Sequence, residues 1–369
     1  MKKQQLQITV LAFFIAICST NLVEAQLNLP RGSQMAKISQ RVGITDISIE
    51  YSRPSVNGRE IWGNIVPYGL NDFNFGTSKA APWRAGANEN TVFETTHDIT
   101  IGGEKLPAGQ YGLHMVINED SSAKVLFTNN HTAWGSYFYD PADVVLETTV
   151  TTCEIPHVEQ LKYEFNDVKA NTAKVSLNWE KKQIPFTIEV PVTDIVLADI
   201  RSKMQNQPGF NRQTWEQAAN FALNNGGDLD EALGWIDAAI AGQFFSQKTF
   251  NNMAIKAQIL MKQGKMDDAV AVMDEAMPMG TVFQVHGYGR QLIAAGEKDK
   301  ALEVFRWNAK TNKGQWPVDY GLARGYSAVG NYKAAIKHIK IAEGRAPDPQ
   351  NQNAIVANLA KLEEGTDIN

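Results

Sequence analysis

Residues 257–276 read AQILMKQGKMDDAVAVMDEA, and this stretch decides the fold of the second half of the chain. Apolar residues recur at helical spacing on both sides of Gly264, and Ala269 follows that glycine by five positions. Glycine readily adopts the positive φ that ends a helix, and a small alanine lets the next helix lie close to the first. The stretch therefore predicts a helical hairpin.

The glycine–alanine pair occurs four times in the second half of the sequence, at steps of 37, 32 and 34 residues. A period near 34 residues with a helical pattern is typical of stacked hairpins, each of which buries its apolar face against the next. Such stacks form binding surfaces far more often than catalytic centres. The four pairs are Gly227/Ala232, Gly264/Ala269, Gly296/Ala301 and Gly330/Ala335.

Helical periodicity covers the chain beyond Thr193. We expect the domain boundary near residue 195, in front of a polar segment with a Pro-Gly turn at 208–209. The pattern predicts a connecting helix over 194–204 and further helices at 212–225, 228–241, 247–263, 266–277, 281–295, 298–312, 317–329, 331–344 and 350–363.

This half resembles tetratricopeptide repeats. Asn220 and Asn308 depart from the pattern, since small residues are expected at both positions. The resemblance implies a degenerate array of four units that forms a right-handed superhelix, with a concave face that holds a peptide or a partner segment. The matching small residues stand twelve positions before a turn alanine (Ala257, Gly289, Ala323) or seven after it (Ala239, Ala276, Ala342).

The first half of the chain has the two-residue periodicity of strands between Ala36 and Val192. Short strands, turn residues and almost no helical run predict an antiparallel β-sandwich. The pattern predicts strands near 36–41, 44–52, 92–101, 109–117, 123–128, 144–154, 159–166, 172–180 and 184–192.

The segment Pro107–Tyr111 (PAGQY) resembles a tyrosine corner. The glycine two residues before the tyrosine allows a sharp turn as the chain enters a strand. We expect the phenol of Tyr111 to hydrogen-bond back to the backbone of the preceding connection, which is a device of Greek-key sandwiches. This feature is evidence for the fold and carries no information about a ligand.

Several short motifs between Arg53 and Pro191 form a specific set. They are RPSVNGR (53–59), VPYG (66–69), WRAGANE (83–89), IGGEKLPAG (101–109), WG (134–135) and YDP (139–141). With these motifs the region resembles the bacterial domain-of-unknown-function family 2911. The resemblance implies export in Bacteroidetes-type bacteria and implies no activity. The segment Gly69–Pro82 is longer than the link expected of the family, which would reshape the loop that follows it.

The first 25 residues have the pattern of a secretory signal peptide. Lys2 and Lys3 precede the apolar run ITVLAFFIAI (8–17), and a cleavage site after Ala25 follows. Ten apolar residues are too few to span a bilayer, so no transmembrane segment is expected after cleavage. The pattern predicts a periplasmic, secreted or cell-surface protein, with a β domain over 26–194 and a helical repeat domain over 195–369.

The charge and cysteine content narrow the possible functions. The formal net charge is −5, and loss of two lysines and one glutamate with the signal makes it −6. A weakly acidic surface without a basic cluster disfavours nucleic acids and anionic membranes. Cys153 alone remains after cleavage, which excludes an internal disulfide and a cysteine-based metal site. We expect Cys153 to be a small buried residue of a strand, and we predict no cofactor and no metal.

The loop 83–89 follows a segment rich in aromatic residues and asparagine, and long loops on a β scaffold commonly carry function. Arg84 is suited to clamp an anion, Glu89 to act as a base, and Asn88 to orient a ligand. The alternative is that Arg84 and Glu89 pair with each other and fasten the loop to the sheet.

His97 and His114 are the best candidate pair for a metal or for acid–base work. If Phe93 opposes Ile117, then His97 lies opposite Leu113 and His114 points to the other face. A one-residue bulge would bring the two imidazoles together. Two histidines are one ligand short of a usual zinc site, so two unrelated hydrogen-bonded histidines are the favoured interpretation.

Residues 131–140 (HTAWGSYFYD) form an aromatic-rich segment. Trp134 and Tyr137 would suit stacking on a glycan or contact with another protein. The alternative is that these rings close the core of the sandwich.

The chain lacks the G-x-S-x-G, H-E-x-x-H, P-loop and G-x-G-x-x-G patterns of common hydrolases and nucleotide enzymes. The leading hypothesis is a non-enzymatic exported scaffold. Its β domain would bind a small ligand, a glycan or an envelope neighbour, and its repeats a protein or peptide. The rival is an uncharacterised periplasmic enzyme with a site around Arg84, Glu89, His97 and His114. A third hypothesis makes the β domain a purely structural module.

Overall fold

The computed structural model describes residues 29–369, so the predicted signal peptide over 1–25 lies outside the described residues. The described chain forms two compact units, and the division lies between Pro191 and Val192. The first unit is built of strands and the second of helices.

Ten strands form two antiparallel sheets in the first unit, as described from residue 29 onward. A six-stranded sheet has the order β1-β2-β3-β6-β7-β8, and a four-stranded sheet has the order β5-β4-β10-β9. The strands are β1 Gln34–Val42, β2 Thr45–Arg53, β3 Ala87–Thr95, β4 Ile99–Ile101, β5 Glu104–Leu106, β6 Gly109–Ile117, β7 Ser122–Thr128, β8 Val144–Thr151, β9 Cys153–Asn166 and β10 Thr172–Glu189.

Apolar side chains from both sheets meet in the core of the β unit. Phe127 of β7 and Phe186 of β10 contact edge to face at 6.0 Å, and Tyr51 of β2 and Tyr163 of β9 do so at 4.7 Å. The phenol of Tyr51 also accepts a hydrogen bond from the Tyr163 backbone N–H at 3.0 Å. These contacts fit the predicted arrangement of two packed sheets, because each strand turns alternate residues inward.

The predicted tyrosine corner is confirmed. The Tyr111 hydroxyl donates a hydrogen bond to the Pro107 carbonyl at 2.9 Å, and Tyr111 begins the buried part of β6. The bond holds the β5–β6 connection against the strand that it enters.

Several predicted strand boundaries are wrong. The expected strand 144–154 divides between β8, which ends at Thr151, and β9, which begins at Cys153 and not near residue 159. The expected strand 92–101 breaks after Thr95, and its last part becomes β4, which pairs with β10 in the other sheet. The expected strands 172–180 and 184–192 form one strand, β10. Register shifts between Asn178 and Lys182 let β10 continue through the charged residues that interrupt the alternating pattern, with Glu180 at φ 53°.

Cys153 is exposed, so the prediction of a buried cysteine is wrong. It begins β9 and pairs with Gln183. The first eight residues of β9 contain no buried side chain, and burial begins only at Leu161. The alternating sequence pattern of β9 therefore extends beyond the buried part of the strand, and Cys153 lies in the exposed part.

Ten helices form the second unit of the described chain. They are α1 Val192–Met204, α2 Arg212–Asn225, α3 Leu229–Ile240, α4 Phe250–Lys262, α5 Met266–Ala276, α6 Val282–Ala294, α7 Lys298–Thr311, α8 Trp316–Ala328, α9 Tyr332–Glu343 and α10 Pro349–Glu363. Consecutive helices from α2 to α9 form the four hairpins that the glycine–alanine pairs predict. Along residues 29–369, no helix is both long enough and apolar enough to cross a membrane.

The hairpin turns use glycine as predicted, with one exception. Gly264, Gly296 and Gly330 have φ of 81°, 88° and 78°. In the first hairpin the residue with positive φ is Gly226 (φ 78°), which directly follows the last helical residue Asn225, and not Gly227. The turn alanines are fully buried between the two helices of each hairpin. They are Ala232, Ala269, Ala301 and Ala335.

A glycine-lined pocket holds the largest fully buried ring of the helical unit. Phe305 of α7 lies against Gly289 of α6 and against Gly321 and Gly325 of α8. A Cβ atom at any of these glycines would stand 2.6–2.8 Å from the ring, which is closer than side chains pack. Asn308 is also buried, and its amide donates to the Val282 carbonyl at 3.0 Å, so this departure from the repeat pattern ties α7 to α6.

Candidate functional site

A bulge of four residues in β3 sets the geometry of the predicted site in the β unit. Glu50 pairs with Val92 and Ser52 with Ala87, so residues 88–91 of β3 lie opposite the single residue Tyr51. Asn88 takes up the irregularity with φ 60°, and its amide donates to the Ser33 carbonyl at 3.1 Å. Bulges change the direction of side chains, and this one directs Glu89 and Asn90 away from regular strand positions.

Arg84 is held by the backbone and by an aromatic ring. Its guanidinium donates a hydrogen bond to the Asn88 carbonyl and lies over the Tyr137 ring, 4.9 Å from the centroid. Gly135 contacts the guanidinium so closely that any side chain at this position would overlap it. The cationic group is thus enclosed by the loop, between the Tyr137 ring and Gly135.

Glu89 pairs with Arg31 and not with Arg84, so the alternative of an Arg84–Glu89 ion pair is wrong. Arg31 contacts Oε1, whereas Oε2 is buried and has no hydrogen-bond partner among residues 29–369. Burial acts to raise the pKa of the Glu89 carboxyl. The hydrogen bond of Arg31, a hydrogen bond from the backbone N–H of Glu89 itself, and the charges of Arg31 and Arg84 together outweigh burial and hold this pKa below its usual value.

Tyr137 connects the long loop 69–82 to the aromatic segment 131–140. Its carbonyl accepts hydrogen bonds from Thr77 and Ser78 at 3.0 and 3.1 Å, and its ring contacts Phe73 and Phe75. Trp134, by contrast, is 50% exposed, with the Arg31 guanidinium 5.8 Å from its ring. The Tyr137 ring is therefore occupied by its neighbours, and Trp134 offers the more open aromatic surface.

His114 lies in the core beneath this loop. The side chain is 2% exposed, its Nδ1 lies 3.0 Å from Ser136 Oγ, and its ring contacts Tyr139 edge to face. Burial, with a smaller contribution from the charge of Arg84, lowers the pKa of His114 to about 4. The imidazole is neutral at physiological pH and forms part of the packing of the loop.

His97 is separated from His114, and the predicted register of their strands is wrong. Phe93 pairs with Tyr111 and not with Ile117, because the chain leaves the sheet after Thr95. His97 follows β3 in the connection to β4, where its Nδ1 lies 3.1 Å from Thr45 Oγ1. The structure thus brings Arg84, Glu89 and His114 into one region and places His97 elsewhere. Within the described part of the chain, no three His, Cys, Asp or Glu side chains are grouped to hold a metal ion.

The bulge opens a cavity of about 190 Å³ beside Glu89. Its walls come from β1, β2, the bulge itself and residues 131–133. Asn90 fastens the wall, because its amide donates to the Asn130 carbonyl at 2.9 Å. Sequence reasoning missed Asn90, Arg31 and this cavity. The sequence feature that could have indicated them is the polar triplet Asn88-Glu89-Asn90, which interrupts the alternating pattern at the start of a strand.

A larger groove of about 700 Å³ crosses α2, α4 and α6 in the helical unit. Seven carboxamide side chains line it, and among the described residues no lysine or arginine does. Its one carboxylate, Glu216, is paired with Arg212 at 3.3 Å and accepts from Asn252 at 3.0 Å. Sequence reasoning predicted a binding face here without naming its residues. The carboxamides are those of Gln213, Gln217, Asn220, Asn251, Gln258, Gln284 and Gln291.

Neighbouring repeats place the carboxamides in a row. Asn251 and Gln284 stand 33 positions apart, and the Gln284 amide donates to the Asn251 side-chain oxygen at 2.8 Å. Tyr288 also lines the groove, and its buried hydroxyl has no partner within residues 29–369. The groove therefore carries both donors and acceptors, with little charge of either sign.

The β unit coincides with a known family. Residues 33–188 match the family Protein of unknown function (DUF2911). The match confirms the resemblance and begins 20 residues earlier than the first quoted motif, so it includes β1 and β2. No curated protein matches the chain.

Several solved structures are similar to the helical unit. A tetratricopeptide repeat protein from Parabacteroides merdae is 15% identical with a TM-score of 0.35, covering 47% of this chain and 68% of that one. YrrB, described as a TPR protein with an unusual peptide-binding site, is 16% identical with a TM-score of 0.31, covering 45% and 84%. A thermophilic TPR protein from Thermus thermophilus is 16% identical with a TM-score of 0.32, covering 47% and 91%. Similarity of this degree says nothing about what this chain binds.

Proposed function

We propose that this protein is an exported, non-enzymatic scaffold. Its helical unit binds an extended segment of another polypeptide in the groove across α2, α4 and α6. Its β unit binds a small ligand in the cavity beside Glu89. The proposal rests on one observation above all: a groove of about 700 Å³ lined by seven carboxamides and by no basic side chain of the described chain.

The chemistry of the groove suits the backbone of a peptide. Each carboxamide offers two donors and an acceptor, which match the C=O and N–H groups that an extended chain presents along its length. Phe250, Ile255 and Tyr288 add apolar contacts between the amides. Acidic or phosphorylated ligands are disfavoured, because recognition of such groups depends on lysine and arginine.

Export is proposed on the pattern of residues 1–25. Mass spectrometry of the protein from its native host should give Gln26 as the first residue and should locate the chain outside the cytoplasm. An intact amino terminus in a cytoplasmic fraction would contradict export while leaving the groove proposal intact.

The groove is tested with a library of neutral, unstructured 12-residue peptides and the full chain. Binders should lose affinity at least about tenfold when alternate backbone nitrogens are methylated, because the amides lose the N–H groups they recognise. The triple variant Gln217→Ala/Gln258→Ala/Gln291→Ala should show the same loss. The double variant Gln350→Ala/Asn353→Ala, on α10 and outside the groove, is the matched control. Binders that depend on acidic residues and tolerate methylation would contradict the proposal.

A further inference from the structure

The four edge strands of the described β unit differ in how they are protected against pairing with another chain. Sheet edges carry unpaired N–H and C=O groups, and natural proteins blunt them with charged residues, proline or very short strands. β1 carries Lys37 and Arg41, β5 has only three residues, and β9 contains Pro156. β8, the other edge of the six-stranded sheet, is the exception.

Residues 148–151 of β8 form an unprotected edge. They read TTVT, and β-branched side chains of this kind favour extended backbone. The one charged residue of β8, Glu147, is paired with Lys124 of β7 at 2.6 Å. The register shift between β8 and β7 lies at the opposite end of the strand, beside Val144. The edge is thus uncharged and regularly paired with β7 over residues 148–151.

The pairing with β7 shows which backbone groups of β8 are free. The Thr152 N–H donates to the Ser121 carbonyl at 2.8 Å, and the same register continues along β8. In an antiparallel pair, residues that bond to the neighbouring strand alternate with residues whose N–H and C=O point to the opposite side. Thr149 and Thr151, both exposed, are therefore the residues whose backbone groups point away from β7. In the described chain these groups have no hydrogen-bond partner.

A cavity of about 360 Å³ lies beside this edge, and Thr149 and Thr151 line it. The turn between β4 and β5 forms one wall, and residues 185–187 of β10 form another. Gly102 in the turn stands so close to the Thr148 side chain that no side chain would fit on it. At about 30 Å³ per water molecule, the cavity would hold about twelve heavy atoms, which is the backbone of about three residues. The space therefore suits a single extended strand.

The walls favour a segment of low net charge. Lys174 and Glu189 place one charge of each sign at the cavity. A segment with strong charge of one sign would be attracted by one of them and repelled by the other. A second copy of β8 is disfavoured by space, because it would bring its own β4–β5 turn and β10 to an edge that has room for one strand.

We infer that β8 takes up an extended segment of another polypeptide, of low net charge, which adds as a strand beside residues 148–151. Thr149 and Thr151 each supply one donor and one acceptor to it, which are the groups that an added strand pairs with. The inference goes beyond the proposed function, because it assigns a polypeptide site to the β unit, outside both the helical groove and the cavity beside Glu89.

The test is amide hydrogen exchange of the full chain, measured residue by residue by NMR with and without peptide. The probe is a library of neutral nine-residue peptides in which valine or threonine occupies alternate positions. A bound peptide should slow exchange at Thr149 and Thr151 at least about tenfold, because their N–H groups gain an acceptor. Thr148 and Val150 serve as internal controls, since their N–H groups already bond to β7, and their exchange should change little.

A proline variant and a modified peptide locate the site. Thr149→Pro removes one outward N–H and should weaken peptide binding at least about tenfold, and an edge strand tolerates proline where the N–H points outward. Thr149→Val keeps the N–H and the β-branched shape, so it is the matched control. A bound peptide is also methylated at alternate backbone nitrogens, in both possible patterns, and applied to the unaltered chain. One pattern should abolish binding and the other should leave it unchanged, because only one side of an added strand pairs with β8.

The contrary outcomes are distinct. Unchanged exchange at Thr149 and Thr151 with every peptide of the library would overturn the inference. Peptides that protect only amides of α2, α4 and α6 would overturn it as well and would support the helical groove. Protection of the two threonines that grows with protein concentration in the absence of peptide would assign the edge to a second copy of this chain. Equal binding by the proline and valine variants, or equal loss with both methylation patterns, would overturn strand addition at β8.

Discussion

The two units of this protein organise their polar side chains in different ways. In the β unit, the bonds that shape the loop and cavity join distant parts of the chain. The Asn88 amide, for example, donates to the Ser33 carbonyl 55 positions away. In the helical unit, the Gln284–Asn251 bond spans 33 positions, which is one repeat. Side-chain placement in the β unit therefore depends on strand register, whereas in the helical unit it depends on a local period that the sequence displays.

The units also share one feature in different surroundings. Each contains a mostly buried histidine whose pKa is lowered to about 4, His114 in the β unit and His286 in the helical unit. Burial is the main cause at both sites. Nδ1 of His286 lies 3.2 Å from the Pro317 carbonyl, and its ring stacks on Tyr320. Burial therefore keeps an imidazole neutral in both units, although their folds differ.

The largest expected effects come from truncating one core ring in each unit. Phe127→Ala and Phe305→Ala should each lower the free energy of unfolding by about 3–5 kcal/mol, because both rings are fully buried and leave cavities. Phe127 contacts Phe93 of its own sheet and Phe186 of the other sheet, so the β unit should lose stability as one cooperative transition. In the helical unit the loss should concentrate in the hairpins next to α7.

Differential scanning calorimetry of the full chain checks this contrast. Each variant should shift one transition and leave the other in place. A shift of both transitions by both variants would break the comparison, since the two units would then unfold together.

Acid should destabilise both units over the same pH window. The unfolded histidine takes up a proton near pH 6.5, and each native histidine resists protonation until about pH 4. Because the unfolded state binds more protons between these values, stability falls as pH falls from 6.5 to 4. The full contribution of His114 is on the order of 3 kcal/mol.

Matched variants separate the two histidines. His114→Gln should flatten the pH dependence of the β-unit transition, and His286→Gln that of the helical-unit transition. The readout is the slope of the unfolding free energy against pH, which is independent of any uniform loss of stability. An unchanged slope in either variant would contradict the assignment for that unit.

The smallest expected effect is the difference in stability cost between alanine substitutions at two glycines with positive φ. Gly264→Ala should cost about 1 kcal/mol, because only the left-handed backbone is disfavoured and no atom lies within 4 Å of the added methyl group. Gly135→Ala should cost about 2 kcal/mol, because its methyl group also displaces the Arg84 guanidinium. Urea denaturation of both variants measures the difference. Equal costs would show that Arg84 moves freely and that the loop is less tightly packed than its contacts indicate.

The sequence predicted most of the helical unit and only part of the candidate site. The turn alanines, three of the four turn glycines and the tyrosine corner follow from short-range rules that hold wherever the pattern occurs. The sequence also indicated the Arg84 loop as a candidate functional region, because a loop rich in polar and aromatic residues interrupts a β pattern. The partners of Glu89, the separation of His97 from His114 and the exposure of Cys153 did not follow, since each depends on strand register.

By itself, the sequence determined that strands with a two-residue period precede helices with a repeat near 34 residues, and that glycine and alanine shape each hairpin. These features arise from contacts between residues close in the chain. Only the tertiary structure decided that β3 bulges over residues 88–91 and that Arg31, not Arg84, pairs with Glu89. The physical reason is that a shift of one or a few residues in the pairing of distant strands moves every side chain that follows, and local composition does not encode that shift.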